Sequence, residues 1–424
     1  MNFYKTIVRT PLFKATSLNS ISVMLKIGSG LITSKVLAIF IGPAGMALAG
    51  NFKNFMTSIE SIATLGFQNG IVKYIVENKN NEVEFKKIMS TVFISLLSMS
   101  VLLSVVLFSF ASFWTSTVLD NTTQYVNVFR ILALVLPWYA TSVFMIVVLN
   151  GLGKYRAVIY INIIGNIVGL LFAVGAVWYL KTMGALLSII IPPALLFFVV
   201  FYYLNKDIRF FDTISRHSFD FQIIKNLSSY SLMALVSAVF GSWVMLAIRK
   251  SIIAALGLEQ AGYWEAMTRI SNYYLLFIST MLTVYFFPKL AFSTTKKATK
   301  NVFWSYYKGI LPLFVLGLTV LFFLRFFMIR LFFTKAFFPV ADLFFWQLLG
   351  DVFKAASLIL GYQFFAKKLT AAFIATEIFS LSMMFAFCHF FMSAFGIQGI
   401  VMAHALTYFI YWIILVIYFR KSLF

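Results

Sequence analysis

Charged residues are scarce in this sequence, and their scarcity limits the class of protein. Only 11% of the 424 residues are charged, whereas 62% are hydrophobic. A soluble globular chain has about 25% charged and about 45–50% apolar residues. No soluble core could bury this much apolar surface, so the main solvent of this chain is lipid. We predict an all-α integral membrane protein.

Cysteine and catalytic motifs are also nearly absent. The one cysteine, Cys388, excludes an intrachain disulfide and a Cys-based metal cluster. The three histidines are scattered, and HExxH, GxSxG, P-loop and paired-carboxylate patterns are missing. We therefore predict that the protein is not an enzyme and that it holds no metal and no cofactor.

Hydrophobic runs of about 20 residues, the length that crosses a bilayer, follow one another along the chain. We predict twelve spans: residues 15–41, 46–76, 85–113, 125–150, 155–179, 182–205, 225–255, 260–291, 299–326, 339–366, 370–394 and 396–420. The longest polar stretch lies at mid-chain. We therefore predict two six-helix lobes, residues 1–205 and 225–424, joined by a cytoplasmic linker, residues 206–224.

The distribution of Lys and Arg among the loops predicts the orientation. With a cytoplasmic N-terminus, twenty basic loop residues fall on the cytoplasmic side and four on the other side. Cytoplasmic loops of membrane proteins carry the excess of positive charge. We expect a multi-pass protein with both termini in the cytoplasm.

The two predicted lobes resemble each other in sequence. Residues 42–77 are similar to residues 257–292, in charged as well as apolar positions. The matched pairs include Lys35 with Lys250, Lys53 with Arg269, Lys73 with Lys289, Trp138 with Trp346, Gly151 with Gly361, and Gly184 with Gly396. Parallel repeats with a substrate site between them are a known plan of transporters.

Some charged residues lie inside the predicted spans, where a charge at the bilayer centre costs about 2.5–3.5 kcal/mol. When the basic residues counted with the loops are set aside, ten remain, namely Lys26, Lys35, Lys53, Lys73, Arg130, Arg249, Lys250, Arg269, Lys308 and Lys354. The acidic residues away from the span ends are Glu60, Glu265, Asp351 and Glu377. Each must face water, pair inside the protein or reach the headgroups. For Lys73 and Arg249, near the ends of their helices, we expect the headgroups.

Polar residues form a stripe along each of two spans. The stripes are Lys53, Thr57, Glu60, Thr64 and Gln68, and Glu265, Arg269, Asn272, Ser279 and Thr283. Packing through hydroxyl groups explains the Ser and Thr residues but not Lys53 or Arg269. We interpret the stripes as the lining of a cavity. Its excess of cations predicts an anionic substrate such as a diphosphate, and it disfavours a pump for lipophilic cations.

Two acid–base pairs can form within single helices. Glu265 and Arg269 are four residues apart, and Asp351 and Lys354 are three apart. Such pairs either neutralise charge or take part in the site, and the sequence leaves both readings open.

Three stretches resemble a known family. Residues 26–54 (KIGSGLITSKVLAIFIGPAGMALAGNFKN), residues 66–76 (GFQNGIVKYIV) and residues 346–361 (WQLLGDVFKAASLILG) are similar to Wzx-type flippases. These belong to the multidrug/oligosaccharidyl-lipid/polysaccharide exporter superfamily. The resemblance covers nearly the whole chain. It implies two six-helix lobes around a central V-shaped cationic cavity that opens alternately to the two sides.

The resemblance and the stripes together give a candidate site. The predicted substrate-binding residues are Lys26, Lys35, Asn51, Lys53, Lys250 and Arg269, and the predicted polar or ion-paired residues of the cavity are Glu60, Glu265, Gln347, Asp351 and Lys354. For Glu265 and Arg269 the prediction depends on the stripe alone.

The function implied by the resemblance is transport of an undecaprenyl-diphosphate-linked oligosaccharide from the cytoplasmic to the periplasmic leaflet of the bacterial inner membrane. A multidrug or ion antiporter and a lipid II-type flippase are the alternatives. A glycan polymerase or ligase would need a long periplasmic loop, and every predicted one is short.

The expected partners are the lipid-linked glycan and membrane lipids, with a glycan polymerase and a chain-length regulator as further candidates. We expect no nucleic acid, because the net charge of +21 is distributed over cytoplasmic loops and the cavity. The candidate energy source is a gradient of H⁺ or Na⁺, with Glu60, Asp351, Glu377, His389 and His404 as candidate ion sites.

The orientation makes a testable prediction. A reporter fused after Phe424 should report the cytoplasm, and one inserted within residues 115–123 should report the periplasm, because only this orientation places the basic loops inside. Alkaline phosphatase and green fluorescent protein fusions measure the two locations. The reverse pattern would contradict the predicted spans.

Overall fold

Helices form the regular structure of the computed structural model, which describes residues 11–120 and 123–423. The α-helices are α1 Pro11–Phe40, α2 Gly42–Ala63, α3 Gln68–Asn78, α4 Glu82–Ser109, α5 Ala111–Val118, α6 Val126–Gly151, α7 Tyr155–Asn205, α8 Phe210–Thr213, α9 Phe221–Leu235, α10 Gly241–Leu256, α11 Leu258–Met281, α12 Phe287–Phe292, α13 Lys296–Phe323, α14 Arg325–Phe332, α15 Phe344–Ala366, α16 Thr370–Tyr418 and α17 Arg420–Leu423. Two π-helical segments, Val236–Phe240 and Leu282–Phe286, join α9 to α10 and α11 to α12. Lys5 and Arg9, which counted toward the predicted orientation, lie outside the described residues.

Long apolar helices confirm the predicted class of protein. Among the described residues, nine helical stretches are long and apolar enough to cross a membrane. The helix α2, which carries Lys53 and Glu60, is not one of these nine. The chain is an all-α, multi-pass membrane protein.

The two longest helices, α7 and α16, each contain a reversal of the chain. Lys181 and Gly396 adopt left-handed backbone conformations inside them. Gly184 lies directly against the carbonyl oxygen of Ala176, and Gly399 lies in the same way against that of Phe391. Residues eight apart in a straight helix are separated by about 12 Å, so each of these contacts requires a tight helical hairpin. The predicted breaks near residues 180 and 395 are confirmed, whereas the count of twelve spans stays a prediction.

Left-handed backbone positions recur at one spacing along the chain. Three pairs are 215 residues apart, namely Gly42 with Gly257, Gly153 with Lys368, and Lys181 with Gly396. The two glycines that pack against carbonyl oxygens, Gly184 and Gly399, keep the same spacing. Three turns and one close contact at a single spacing support the predicted internal repeat.

Of the six predicted matches, Lys35 with Lys250 has this spacing and the other five differ from it. Gly396 corresponds to Lys181, so its predicted match with Gly184 was wrong by three residues. At the same spacing Lys53 corresponds to Thr268 and not to its neighbour Arg269. The sequence match placed Lys53 and Arg269 at equivalent positions of the two repeats, but the backbone spacing places them one position apart.

The predicted span 46–76 is not one helix. The helix α2 ends at Ala63, and Leu65 and Gly66 have positive φ angles. The carbonyl oxygen of Leu65 accepts a hydrogen bond from the Ser231 hydroxyl instead of from a helical N–H. The helix thus ends five residues before Gln68, and the predicted five-residue stripe is interrupted.

Two compact units divide the chain. The first comprises residues 1–36 and 52–239, and the second comprises residues 37–51 and 240–424. The end of α1 and the start of α2 thus belong with the C-terminal helices. The predicted lobe boundaries, 1–205 and 225–424, do not coincide with these units, and the six-helix division stays a prediction.

The predicted linker 206–224 is packed on the first unit. Phe210 within it is buried. The backbone N–H of Ser215 donates to the Ser90 hydroxyl at 3.0 Å, and that of Asp220 donates to the Thr91 hydroxyl at 2.9 Å. These bonds attach the segment to the start of α4.

The hairpin glycines make a testable prediction. Replacing Gly184 or Gly399 by Ala should destabilise the protein by about 1–3 kcal/mol, because the added Cβ overlaps a backbone carbonyl that cannot move aside. Gly175→Ala, at a helical position with open space around it, is the matched control and should be neutral or stabilising. Thermal unfolding of the purified protein in detergent measures both effects. Equal stability of all three variants would contradict the tight hairpins.

Candidate functional site

A short turn in the second unit brings two charged residues together. Gly257, with φ +92°, ends α10 and precedes α11. Arg249 and Glu265 each lie eight residues from this glycine, on opposite sides of it. Residues equally distant from the turn of two antiparallel helices lie side by side. The local sequence around Gly257 thus sets the pairing of Arg249 with Glu265.

The Glu265 carboxylate binds two arginines, one through each oxygen. Its Oε2 accepts a hydrogen bond from Arg249 Nη2 at 2.6 Å, and its Oε1 accepts one from Arg269 Nε at 2.8 Å. Arg249 Nη1 also donates to Asn51 Oδ1 at 3.3 Å. The ring of Trp264 lies 5.0 Å from the Arg249 guanidinium. We call Asn51, Arg249, Glu265 and Arg269 the arginine cluster.

Small residues allow α2 to approach this cluster. A Cβ atom on Gly50 would overlap the Glu265 carboxylate, and one on Gly262 would overlap the backbone of Pro43. Met46, Ala47 and Ala49 in the same segment are also buried. The glycines at both positions hold residues 42–51 against α11 and place Asn51 beside Arg249.

Charge in the arginine cluster is unbalanced. Two guanidinium groups face one carboxylate, and within the described residues Asn51 Nδ2 and Arg249 Nε have no hydrogen-bond partner. The side chains of Arg249 and Glu265 are only 2% and 5% exposed, whereas that of Arg269 is 12% exposed. The cluster thus has one more positive than negative group, and Arg269 is its most exposed member. The two donors without partners belong to the buried residues Asn51 and Arg249.

A second buried polar group is centred on Asp351 of α15, and α11 contributes Ser271 and Tyr274 to it. Asp351 is fully buried, and its Oδ1 lies 3.0 Å from His404 Nε2. Its Oδ2 accepts hydrogen bonds from Ser271, Tyr274 and Gln347. We call these residues the aspartate cluster. The Asp351 carboxylate thus connects α11, α15 and α16, and each of its two oxygens has a hydrogen-bond partner.

Other predicted partners of the candidate carboxylates differ from the structure. Asp351 contacts His404 instead of the predicted Lys354, whose ammonium lies 5.0 Å from the Tyr408 ring. In the first unit, Glu60 accepts a hydrogen bond from the Tyr139 hydroxyl at 2.5 Å. The predicted pair of Glu265 and Arg269 is confirmed.

Four further lysines were predicted to bind the substrate. Lys26 and Lys53 are exposed and Lys35 is half-buried in the first unit, while Lys250 is exposed in the second. Lys250 follows Arg249 directly, and successive residues of a helix point about 100° apart. Its side chain therefore projects away from Glu265. The roles predicted for these four lysines stay predictions.

Arg249 is the residue that the sequence analysis misplaced. We expected it at the headgroups because it lies near a helix end, yet it is 2% exposed and bound to Glu265. The signal was present in the sequence, because Arg249 and Glu265 are symmetric about Gly257. His404 was noted only as a candidate ion site, and its contact with Asp351 joins helices far apart in sequence.

Metal ligands do not gather anywhere in the described part of the chain. Within residues 11–120 and 123–423, no group of three or more His, Cys, Asp or Glu side chains is placed to hold a metal ion.

The buried pair makes a testable prediction. Glu265→Gln alone should destabilise the protein by about 3–5 kcal/mol, because it leaves the buried Arg249 without a counter-ion. Arg249→Met alone should cost less, because Glu265 keeps its pair with Arg269. The double variant should recover most of the loss, since it removes both charges. Arg209→Met, in an exposed pair with Asp212, is the control and should change little. Thermal unfolding in detergent measures all four. A double variant less stable than either single variant would contradict a mutually neutralising pair.

Known proteins similar to this chain are membrane transporters. The lipid III flippase of Escherichia coli (strain K12) is 29% identical over 400 residues, which cover 94% of this chain and 96% of that protein. The lipid III flippase of Shigella flexneri matches equally well.

Solved structures of low identity share the fold. An inward-facing multidrug resistance MATE family transporter of the MOP superfamily has a TM-score of 0.80 at 14% identity, with 96% of this chain and 98% of that chain covered. The lipid II flippase MurJ in an inward closed conformation has a TM-score of 0.72 at 14% identity, with 96% and 87% covered. At these identities the likeness defines the fold and not the substrate.

One protein family matches most of the chain. Residues 36–342 match Polysacc_synt_3, described as polysaccharide biosynthesis protein. This range includes the whole arginine cluster. The chain belongs to the polysaccharide biosynthesis protein family Polysacc_synt_3.

Proposed function

We propose that this protein is a flippase that moves an undecaprenyl-diphosphate-linked oligosaccharide from the cytoplasmic to the periplasmic leaflet of the bacterial inner membrane. The observation that carries the proposal is the arginine cluster, in which two guanidinium groups share one carboxylate and leave Arg269 partly accessible. The 29% identity to lipid III flippases over nearly the full length of both chains supports it.

A lipid-linked diphosphate has the chemistry that the arginine cluster requires. Its phosphate oxygens are anionic acceptors, and guanidinium groups bind them with charge-assisted hydrogen bonds. Its polyprenyl chain stays in hydrocarbon while the polar head crosses. Translocation needs no bond to break, so the protein acts as a non-catalytic carrier in this proposal.

A multidrug cation antiporter is the main alternative, because MATE transporters share the fold. A cationic drug requires an acidic group that is available to bind it. Glu60 is bound by Tyr139, Glu265 by two arginines, and Asp351 by His404. These contacts favour the anionic substrate. A lipid II-type flippase also carries a diphosphate, and identification of the glycan separates it from the first proposal.

An ion gradient is the energy source that we propose. The carrier holds no cofactor in this scheme, and a gradient of H⁺ or Na⁺ would drive the return step. Asp351 and His404, in contact at 3.0 Å, are the candidate ion site in this scheme.

The cellular setting follows from the same proposal. Both termini lie in the cytoplasm, as the loop charges indicate. A glycan delivered to the periplasmic leaflet becomes the substrate of a polymerase, so a glycan polymerase and its chain-length regulator are the proposed protein partners.

The test of the proposed function is deletion of the gene. The deletion strain should accumulate a diphosphate-linked oligosaccharide on the cytoplasmic face and lose the corresponding surface glycan, and mass spectrometry of extracted lipids identifies the glycan. Unchanged lipid-linked intermediates would contradict a flippase role.

Two cations predicted to bind the substrate give a sharper test. In the deletion strain, Lys53→Ala or Arg269→Ala should abolish restoration of the surface glycan, while Arg269→Lys should restore part of it because it keeps the charge but not the planar fork. Glu at either position should be at least as harmful as Ala, since it repels the phosphates. Arg209→Ala, at an exposed position outside the spans, is the control and should restore it fully. Surface glycan is read by antibody, with membrane levels checked by blot. Full activity of the Lys53→Ala, Arg269→Ala double variant would show that these residues do not bind the substrate.

A further inference from the structure

The Glu265 carboxylate occupies the position that an anionic ligand of Arg269 would take. Its two oxygens bind Arg249 and Arg269 at 2.6 Å and 2.8 Å. Two neighbouring phosphate oxygens bind guanidinium groups with the same kind of hydrogen bond. The Glu265 carboxylate therefore has to give up Arg269 before a phosphate of the proposed substrate can bind there.

The two arginines of the cluster differ in how firmly they are held. Arg249 is 2% exposed, donates to Asn51 and lies against the Trp264 ring. Arg269 is 12% exposed and sits one helical turn from Glu265 on the same helix. A ligand can reach Arg269, whereas Arg249 is enclosed.

Electrostatics favours exchange at Arg269 alone. If Arg269 turns from Glu265 to a phosphate, Glu265 stays paired with Arg249 and no buried charge loses its last partner. If Arg249 left instead, a buried guanidinium would be without a counter-ion. The exchange replaces one charge-assisted hydrogen bond of Arg269 by another, so its net free energy is small compared with either bond.

From this geometry we infer that Glu265 is a built-in competitor of the substrate: it holds Arg269 in the empty carrier, yields it to the diphosphate of the cargo, and takes it back when the cargo leaves. Arg249 and Asn51 are positioning residues that keep Glu265 in place throughout. The inference rests on the proposed function and adds to it a mechanism by which Glu265 helps to release the cargo from Arg269. A carrier that bound its cargo without such competition would release it slowly.

The test uses a double variant that keeps the net charge. Arg249→Met combined with Glu265→Gln removes one positive and one negative charge, so Arg269 remains without its competitor and the cluster keeps its overall charge of one. Isothermal titration of inorganic pyrophosphate into the full-length protein in lipid nanodiscs measures the affinity. We expect the double variant to bind pyrophosphate about three- to tenfold more tightly than the unaltered protein, because no internal ion pair has to break first.

Three further variants complete the experiment. Arg269→Gln should lose pyrophosphate binding both alone and in the double-variant background. Asp212→Asn, which removes an exposed carboxylate that pairs with Arg209 outside the site, controls for the loss of any acidic group and should leave the affinity unchanged. Glu265→Gln alone, if it folds, should also bind more tightly.

The outcomes separate competition from positioning. Weaker or equal pyrophosphate binding by the folded double variant would overturn the inference, because it would mean that Glu265 merely orients Arg269. Binding that survives Arg269→Gln would overturn it as well. Failure of the proposed function has a different signature: the expected affinities would hold, yet the deletion strain would accumulate no diphosphate-linked glycan.

Discussion

A carboxylate buried among membrane helices must keep a cationic partner, and this constraint organises the second unit. Glu265 meets it with two arginines. To place Arg249 opposite Glu265 the chain turns tightly at Gly257, and to place Asn51 beside Arg249 the start of α2 approaches α11 through Gly50 and Gly262. The ion pair can therefore form only because these positions are glycines. The pair in turn connects α10 and α11, and the bond of Arg249 to Asn51 adds the start of α2.

The same constraint supports the proposal of an anionic substrate. Each of the carboxylates Glu60, Glu265 and Asp351 is already engaged by a tyrosine, by arginines or by a histidine. Basic residues outnumber acidic ones in the predicted spans, so pairing consumes the acids and leaves cations in excess. In the function that we propose, a diphosphate-linked glycan supplies the missing negative charge, and Arg269, the partly accessible member of the arginine cluster, receives it.

Periodic features were predictable from the sequence, and contacts between distant helices were not. Hydrophobic runs predicted the membrane class and the hairpins at Lys181 and Gly396, and a pair four residues apart predicted the Glu265–Arg269 contact. The end of α2 at Ala63 was missed, although it is closed locally by hydrogen bonds from the backbone N–H groups of Leu65 and Gly66 to Ile62 and Ser61. Arg249 was assigned to the headgroups from its place near a helix end, although its symmetry with Glu265 about Gly257 indicated the pair. The contact of Asp351 with His404, 53 residues apart, had no local pattern that could predict it.

The central claim is that Arg269 carries the diphosphate of a lipid-linked glycan across the membrane. Reconstitution of the purified protein into liposomes with a fluorescent undecaprenyl-diphosphate oligosaccharide tests it directly, because an impermeant quencher reports which leaflet holds the glycan. The account predicts that the unaltered protein equilibrates the diphosphate lipid between leaflets, that Arg269→Gln does so far more slowly, and that an uncharged lipid with the same glycan is not moved. Equal transport of the charged and uncharged lipids, or unchanged transport by Arg269→Gln, would contradict it.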